Sequence, residues 1–364
     1  MSSSSNNIPK STAQWVVRRT DAGFDGLELE TKEIPSLGTH DVLVKMKAAS
    51  LNFRDLIILM GSYPFPISSG VVPASDGAGE VVAIGPQVKH LKEGDRVATL
   101  FNQGHQYGAL DSESIMTGLG GALDGALREY GVFHEQGLVP LPKGLTFEEG
   151  ATLPCAAVTA WNALNGLKVL KPGQCVLVQG TGGVSVFALQ FAKAAGAFVV
   201  ATTSSAEKVK ILKEHGADVV INYKETPNWG EEARKHTRNN AGFDHIVEVG
   251  GPYTLPQSLA AIKYEGIISM IGFVAQKQTT EDISLMQSLF KGCTVRGVMV
   301  GSRDMMLEMG AAIEANGIKP IMDKKTFSFK EAKDAYMYQW EQKHIGKQLY
   351  LRFCRTNYHR VAEC

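Results

Sequence analysis

The chain has 364 residues, of which 44% are hydrophobic and 20% are charged, and it contains 37 basic and 37 acidic residues. This balance is that of an ordinary globular protein, and the length suggests two domains. A net charge near zero gives no electrostatic attraction to nucleic acid or to an anionic membrane, so neither is expected as a partner. No run of about 18 uncharged apolar residues is present, so no membrane-spanning helix is expected.

The five cysteines are widely spaced along the chain. This spacing argues against a disulfide framework and indicates a reducing, cytoplasmic compartment. The cysteines form no CxxC pair and no cluster of four, so a closed structural zinc site is not expected. The first residues are polar and lack the apolar core of a signal peptide, and residues 1–12 are predicted to be a disordered tail.

The chain up to about residue 153 predicts a β-rich domain of irregular barrel type. Short runs rich in β-branched residues, such as residues 41–50, are separated by glycine, proline, aspartate and asparagine. Residues 102–125 are rich in glycine and have no regular pattern, so they are predicted to form one long loop. A loop of this length is more often functional than idle.

The pattern changes to alternating strands and helices over residues 154–304. This alternation predicts an α/β domain with a doubly wound parallel sheet and right-handed crossovers. The rest of the chain is expected to return to the first domain, which would comprise 13–153 and 305–364. The predicted strands of the sheet are residues 175–178, 198–202, 219–221, 245–249 and 266–271, and the last strand of the chain is predicted at residues 348–351.

A glycine-rich turn follows the first of these strands. Gly180, Gly182 and Ser185 occupy the three positions of G-x-G-x-x-G between a strand and a helix, which is the context in which this pattern binds a dinucleotide. Gly180 permits the tight turn, and Gly182 lets the backbone approach a pyrophosphate at the helix N-terminus. An alternative is a tight turn without a ligand. The predicted cofactor contacts here are Gly180, Thr181, Gly182, Gly183 and Val184.

The residue that ends the second strand indicates which dinucleotide binds. A sheet that binds NAD usually has an Asp or Glu there, bonded to the ribose 2′-hydroxyl, whereas this chain has Thr203. Ser204, Ser205 and Lys208 follow, and their hydroxyl and ammonium groups can bind a 2′-phosphate that a carboxylate would repel. The sequence therefore predicts NADPH, although the two serines could also cap the next helix.

In combination, the motifs of this chain resemble the medium-chain dehydrogenase/reductase superfamily, and within it the zinc-free, quinone-oxidoreductase-like branch. The resemblance extends from about residue 13 to residue 353 and implies a GroES-like catalytic domain, a Rossmann domain and an active site in the cleft between them. It also implies an oligomer, and a homodimer is expected. The motifs are SLNFRD (50–55), GSYP (61–64), SDGAGEV (75–81), GDRV (94–97), LPC (153–155), TAW (159–161), the glycine turn, INY (221–223) and HIGK (344–347).

The resemblance also locates the positions at which zinc alcohol dehydrogenases of this superfamily bind their catalytic metal. The three ligands, a Cys, a His and a Cys, match Asn52, Ser75 and Cys155, and the glutamate after the His matches Asp76. Only the second cysteine is kept, whereas a catalytic zinc needs three protein ligands. No metal is therefore expected, and Cys155 is interpreted as a small buried residue.

Without a metal, hydrogen-bond donors must stabilise the negative charge that develops when hydride reaches an electron-poor carbon. The resemblance implies Tyr63 as the proton donor, with Asn52 as an amide donor and Asp55 as an orienting residue. Alternatively, Tyr63 only packs before a proline. Further cofactor contacts implied by the resemblance are Thr159, Tyr223, Val249, Gly250, Ile271, Gly272, Phe273, Gly301, Ser302 and Arg303.

The sequence thus predicts an NADPH-dependent, metal-independent oxidoreductase. It would reduce the activated double bond or the carbonyl of a small apolar enone or quinone-like substrate, and the resemblance makes secondary metabolism one setting for this reaction. Two alternatives stay open: a zinc-independent carbonyl reductase or alcohol dehydrogenase, and a protein that binds NADPH without catalysis. A zinc alcohol dehydrogenase is a further rival, and it predicts stoichiometric zinc.

Overall fold

The computed structural model describes residues 8–272, 286–342 and 344–347, and the backbone of residues 351–352. The chain divides into two compact units, of which one comprises Met1–Cys155 and Ser302–Cys364 and the other comprises Ala156–Gly301. Phe273, an expected cofactor contact, lies outside the described residues. Residues 1–7 of the predicted tail and residues 348–350 of the last predicted strand lie outside them as well.

The strands described in the chain up to Cys155 are antiparallel. β1 and β2 pair with each other, and five of the described strands form a sheet in the order β6-β3-β4-β5-β7 in which all neighbours are antiparallel. The elements are β1 (Ser11–Val17), β2 (Leu27–Glu33), β3 (Asp41–Ser50), α1 (Phe53–Leu59), β4 (Asp76–Ile84), β5 (Arg96–Thr99), α2 (Ser112–Ile115), β6 (Tyr130–His134), β7 (Leu138–Pro140) and α3 (Phe147–Ala151).

Two predictions for this stretch need correction. The disordered tail was predicted too long, because Ser11 already pairs with Glu33 at the start of β1. The loop predicted over residues 102–125 contains the single helical turn α2. That turn forms because the Asp111 carboxylate accepts a hydrogen bond from the Ser114 N–H at 2.7 Å and so caps it.

The central strands β3 and β4 position the start of α1. Val44, Met46 and Val81 of these strands and Leu56 of α1 belong to one buried apolar core, as expected for β-branched and long apolar side chains on a pleated sheet. β3 ends at Ser50 and α1 begins at Phe53. Asn52 is therefore held at the junction between a buried strand and a buried helix.

The second unit contains a parallel sheet with helices between its strands. Six of the described strands lie in the order β10-β9-β8-β11-β12-β13. Counted along the chain this is the order 3-2-1-4-5-6 of a Rossmann fold, and the predicted doubly wound sheet is confirmed. The elements are α4 (Val158–Asn165), β8 (Cys175–Gln179), α5 (Gly183–Ala194), β9 (Phe198–Thr203), α6 (Ala206–Glu214), β10 (Val219–Asn222), α7 (Trp229–Lys235), β11 (Phe243–Glu248), α8 (Leu255–Ala261), β12 (Ile262–Met270), α9 (Met286–Phe290) and β13 (Thr294–Gly297).

The middle strands of this sheet contribute apolar side chains to a buried core, as expected where both faces of a sheet are covered. Leu177, Val200, Ile246 and Ile268 come from four neighbouring strands and share one buried core. In a sheet of this order, ligands bind at the carboxyl ends of the strands where the order reverses, which here is between β8 and β11. The residues that follow these two strands are therefore expected to contact a ligand.

The end of the chain returns to the first unit through α10 (Arg303–Asn316), β14 (Phe327–Ser328), α11 (Ala332–Trp340) and β15 (Leu351–Arg352). Backbone hydrogen bonds from the Lys347 N–H to the Ile321 carbonyl (2.9 Å) and from the Asp323 N–H to the Lys347 carbonyl (3.1 Å) hold the segment before β15. Gly346 has a φ of 71°, and a Cβ there would lie 2.3 Å from the Ile321 oxygen, so only glycine permits this passage. Within the part of the chain that the structure describes, no helix is both long and apolar enough to cross a bilayer.

Candidate active site

Asn52 and Asp55 are joined at the start of α1. The Asn52 N–H donates a hydrogen bond of 2.7 Å to the Asp55 carboxylate. An acidic side chain that reaches back from the third helical position to the residue before the helix fixes the backbone at that point. This contact is one way in which Asp55 can orient Asn52.

The Asp55 carboxyl group is buried beside a cation. Burial raises its pKa to about 6, while the neighbouring Arg54 guanidinium acts in the opposite direction. Arg54 Nη1 lies 3.8 Å from Asp55 Oδ1. The carboxylate therefore gains a proton more readily than an exposed aspartate does.

Tyr63 follows α1 and is half-buried. Its phenolic oxygen accepts a hydrogen bond from Arg54 Nε at 3.1 Å. The Arg54 guanidinium carbon lies 4.9 Å from the centre of the Tyr63 ring and 4.6 Å from that of Phe101, and Nη1 donates to the Leu119 carbonyl at 2.7 Å. Because Arg54 donates to the phenolic oxygen, the oxygen acts as the acceptor in this contact and the O–H proton stays available for donation.

Lys347 brings an ammonium group to the residues that match the zinc ligands of the superfamily. Lys347 Nζ donates to the Leu51 carbonyl at 3.2 Å, to Asp76 Oδ2 at 2.9 Å and to Asn52 Oδ1. Asn52 Nδ2 donates to Ser75 Oγ at 3.3 Å, and Ser75 Oγ donates to Asp76 Oδ1 at 2.7 Å. An ammonium group can only donate, so the oxygen of the Asn52 amide faces Lys347 and its nitrogen faces elsewhere.

These residues do not fit a catalytic zinc ion. The Cys155 N–H donates to Asp76 Oδ2 at 3.3 Å, and burial raises the pKa of the Cys155 thiol to about 12, with the Asp76 carboxylate acting in the same direction. Zinc binds thiolate, and Asn52 and Ser75 supply an amide and a hydroxyl instead of thiolate and imidazole. Among the described residues, no group of three or more His, Cys, Asp and Glu side chains could hold a metal ion.

The glycine turn between β8 and α5 leaves open space at a helix N-terminus. Gly180 has a φ of 74°, which glycine adopts without strain. A Cβ at Gly180 or Gly182 would meet no described atom within 4 Å, and no described side chain caps the 12-residue helix α5. Ser185 Oγ donates to the Gln179 carbonyl at 2.6 Å and ties the helix to the strand. The backbone N–H groups of this turn, at Gly183 and Val184, therefore fit a pyrophosphate.

The end of β9 carries hydroxyl groups. The Ser205 N–H donates to Thr203 Oγ1 at 3.3 Å, and the Tyr223 N–H donates to the Thr203 carbonyl at 3.0 Å. Ser205 precedes α6, but its side chain does not cap that helix. Ser204 and Lys208 are half-buried nearby in the sequence, and Tyr223 is exposed. A phosphate fits this set of donors better than a neutral ribose hydroxyl does. The donors are the hydroxyls of Ser204 and Ser205, the N-terminus of α6 and the Lys208 ammonium group.

Glu248, which the sequence analysis did not single out, is fully buried at the end of β11. Its carboxylate accepts hydrogen bonds from the Gly250 N–H (2.8 Å), the Gly251 N–H (3.0 Å) and Gln179 Nε2 (2.7 Å). Gln179 Oε1 in turn accepts from the Val249 N–H at 3.2 Å. This network fixes the turn at Val249 and Gly250. The turn follows β11, at the point between β8 and β11 where the strand order reverses. A carboxylate directly after the apolar pair Ile246 and Val247, at the end of a buried strand, was the signal that could have identified it.

The remaining predicted cofactor contacts lie at other element ends. The Ile271 N–H donates to the Glu248 carbonyl at 2.9 Å, directly after β12 and before Gly272. Arg303 is half-buried, and its guanidinium donates to the Leu138 carbonyl at 3.5 Å. Val300 has a φ of 55°, a strained value for a β-branched residue, just before this segment. Thr159 is buried in α4, Gly301 precedes α10, and Ser302 caps α10 through the Met305 N–H.

The structure thus places the predicted residues in two groups, one in each unit. Asn52, Asp55 and Tyr63 belong to the first unit, where Arg54 and Lys347 join them. The second unit contains the predicted dinucleotide contacts at or after the ends of its strands: Gly180 to Val184, Thr203, Ser204, Ser205, Lys208, Tyr223, Val249, Gly250, Ile271 and Gly272. Arg54, Lys347 and Glu248 are the polar residues that the sequence analysis missed.

Comparisons with known proteins agree with this architecture. Residues 38–143 match the alcohol dehydrogenase GroES-like domain, and residues 183–315 match the family described as zinc-binding dehydrogenase. The chain is 50% identical to a zinc-type alcohol dehydrogenase-like protein of Schizosaccharomyces pombe, over 92% of this chain and 97% of the relative. It is 30% identical to the 2-methylene-furan-3-one reductase of Solanum lycopersicum, over 95% of this chain and 80% of the relative. A crystal structure of an NAD-dependent alcohol dehydrogenase superposes with a TM-score of 0.83 at 29% identity, over 94% of this chain and 100% of the other.

Proposed function

Because the chain belongs to the medium-chain dehydrogenase/reductase superfamily, we propose that it is an NADPH-dependent reductase that acts on conjugated carbonyl compounds without a metal. As an oxidoreductase of this superfamily, it takes a nicotinamide cofactor, which supplies hydride when bound. The observation that carries the proposal is the Tyr63 hydroxyl, whose oxygen accepts a hydrogen bond from the half-buried Arg54 side chain. This arrangement is suited to proton donation next to a site that lacks the superfamily's zinc ligands.

The preference for NADPH rests on the end of β9. Thr203 stands where an NAD-binding sheet usually carries an acid, and Ser204, Ser205 and Lys208 follow it. The backbone of the glycine turn is assigned to the pyrophosphate, and the turn at Val249 and Gly250 to the nicotinamide end. Gly301, Ser302 and Arg303 are assigned as further cofactor contacts, with phosphate as the proposed partner of Arg303.

The proposed reaction is the addition of hydride to the β-carbon of an enone. The electron pair of the C=C bond moves through the conjugated system to the carbonyl oxygen, where the side-chain amide of Asn52 donates a hydrogen bond from Nδ2 to the developing charge. The Tyr63 O–H then gives its proton to the α-carbon, and the Arg54 N–H stabilises the phenolate until solvent returns a proton. The relative from Solanum lycopersicum is named for a substrate that is itself a conjugated enone, which supports this substrate class.

Reduction of the carbonyl group itself is the second candidate. It is favoured by the relatives that are named alcohol dehydrogenases, among them the NAD-dependent enzyme of known structure. In that reaction Asn52 and Tyr63 would act on one oxygen atom, which becomes the alcohol.

A homodimer in a reducing, cytoplasmic compartment completes the proposal. The compartment is supported by Cys155, Cys175 and Cys293, none of which forms a disulfide among the described residues.

The proposal is tested by binding and turnover of the full chain. The protein contains four tryptophans, and their fluorescence is titrated with NADPH and with NADH. We expect NADPH to bind at least about tenfold more tightly than NADH, which corresponds to about 1.4 kcal/mol. We also expect the protein to reduce an α,β-unsaturated ketone with NADPH at a rate that treatment with EDTA leaves unchanged. Tighter binding of NADH, loss of activity with the chelator, or binding without turnover of any acceptor would each contradict a separate part of the proposal.

A further inference from the structure

Lys347 is one of the most deeply buried lysines of the described chain, with 3% of its surface exposed. Lysine is almost never buried to this extent unless its charge is paired. Asp76, which is fully buried, supplies the opposite charge at 2.9 Å, and the Leu51 carbonyl and Asn52 Oδ1 accept the other two ammonium protons. All three donor positions of the ammonium group are therefore satisfied within the protein.

The ammonium group contacts one of the positions that match the superfamily's metal ligands and is linked to the other two through Asp76. Asn52 contacts it directly. Ser75 bonds to both of its partners, accepting from Asn52 Nδ2 at 3.3 Å and donating to Asp76 Oδ1 at 2.7 Å. Cys155 is linked through its N–H to Asp76 Oδ2 at 3.3 Å. Replacement of the thiolate and imidazole ligands thus coincides with a positive charge supplied by the chain itself.

We infer that the Lys347 ammonium is the resident cation of this site, in the place that a catalytic metal has in zinc dehydrogenases, and that it acts by polarising the Asn52 amide. The second half of this inference rests on the proposed function, whereas the first half does not. Lys347 is a positioning residue, because it acts through Asn52 and is itself enclosed by protein.

The polarisation follows from the direction of the hydrogen bonds. Donation from Lys347 to Asn52 Oδ1 withdraws electron density from the amide and makes its N–H groups stronger donors. The amide nitrogen has two N–H groups, and Ser75 accepts one of them. Asn52 is half-buried, so the second N–H is assigned to the substrate oxygen. A zinc ion would polarise that oxygen directly, whereas here the positive charge acts through one amide.

The same geometry keeps a metal ion out. A divalent cation and an ammonium group cannot share the oxygens of Asp76 and Asn52 without strong repulsion. In this arrangement Asp76 pairs with the ammonium group and also accepts from the Cys155 N–H, with no metal ion required. Restoring the missing ligands alone should be insufficient for zinc binding.

A metal-binding experiment tests the first half without any assay of activity. The double variant Asn52→Cys, Ser75→His restores the superfamily's ligand types, and a triple variant adds Lys347→Ala. After dialysis against buffered zinc, metal analysis is expected to find well below one zinc per chain in the double variant and about one in the triple variant. Replacement of zinc by Co²⁺ should give a thiolate-to-cobalt absorption band only in the triple variant. Circular dichroism verifies folding, and Lys347→Gln replaces Lys347→Ala in the triple variant if the latter does not fold.

Two results of this experiment would overturn the inference. One is a full zinc ion in the double variant, because the ammonium would then not occupy the metal's place. The other is a folded triple variant that binds no zinc. Positions 52, 75, 155 and 347 would then not enclose a common centre.

A chemical rescue experiment tests the second half. Lys347→Ala in the otherwise unchanged chain is expected to lower kcat for the unsaturated ketone about 10²-fold, the effect of losing one oxyanion donor, with an unchanged Kd for NADPH. Added ethylammonium should restore part of the activity, whereas ethanol of similar size should not. The matched control is Lys319→Ala, a lysine of the same unit that is paired with Glu149 at 3.2 Å but exposed.

An unchanged kcat in Lys347→Ala, or equal rescue by ethylammonium and ethanol, would overturn the polarising role. If the unaltered protein reduces no conjugated carbonyl compound, the proposed function fails. The zinc contents of the double and triple variants then still decide whether Lys347 is the resident cation.

Discussion

Tyr63 and Arg54 show how a neighbouring residue determines what a side chain can do. A tyrosine before a proline could equally serve only for packing, and the sequence left that alternative open. In the structure the phenolic oxygen accepts from Arg54 Nε at 3.1 Å, and the guanidinium also lies against the Tyr63 ring. The phenolic oxygen therefore has a charged hydrogen-bond donor, which simple packing does not require.

Replacing Tyr63 by phenylalanine tests this role. Tyr63→Phe keeps the ring against Arg54 and removes only the hydroxyl, so we expect an unchanged melting temperature and an unchanged Kd for NADPH. The kcat for reduction of an unsaturated ketone should fall by roughly 10²-fold or more, the usual contribution of a general acid. Steady-state kinetics and a fluorescence titration measure both quantities.

Tyr107→Phe is the matched control, because Tyr107 belongs to the same unit and is 75% exposed. It should leave kcat unchanged. A kcat of Tyr63→Phe within about twofold of the original would assign proton donation to another group.

At the scale of single elements, the turn from β8 into α5 was predictable because all of its determinants are local. The glycines at 180 and 182, the apolar strand before them and the helical spacing after them lie within about 20 residues, the reach of such a motif. The buried network of Glu248 and Gln179 was not predictable in this way. Its partners are 69 residues apart in the chain, and only the parallel pairing of β8 with β11 brings them together.

Substitution of Gly182 by alanine separates folding from cofactor binding at this turn. Gly182 has a φ of −73°, which alanine adopts freely, and a Cβ there meets no described atom within 4 Å. The fold should tolerate Gly182→Ala with a melting temperature within a few degrees of the original, since surface changes of this kind cost little. The new methyl group would occupy the space assigned to the pyrophosphate, so the Kd for NADPH should rise about tenfold or more.

The control is Gly297→Ala on the edge strand β13, where a Cβ is equally unobstructed. It should change neither the melting temperature nor the Kd. An unchanged Kd in Gly182→Ala would place the pyrophosphate elsewhere.

At the scale of the whole molecule, the alternation of strands and helices was enough to predict the α/β class and the Rossmann-type sheet. The position of Lys347 was not predictable from the residues around it. Its ammonium bonds to Asn52 and Asp76 across separations of 295 and 271 residues. The sequence showed that two metal ligands were missing, and only the return of the chain's end to the first unit shows what lies at their position.

The central claim, that the protein reduces the C=C bond of a conjugated carbonyl compound, is tested most directly by following the hydride. NADPH carrying deuterium at the transferable position of C4 is supplied with a simple α,β-unsaturated ketone, and the product is examined by NMR. We expect deuterium on the β-carbon of a saturated ketone, with the α-proton drawn from solvent by way of Tyr63. Deuterium on the carbonyl carbon of an unsaturated alcohol would contradict it and make the protein a carbonyl reductase.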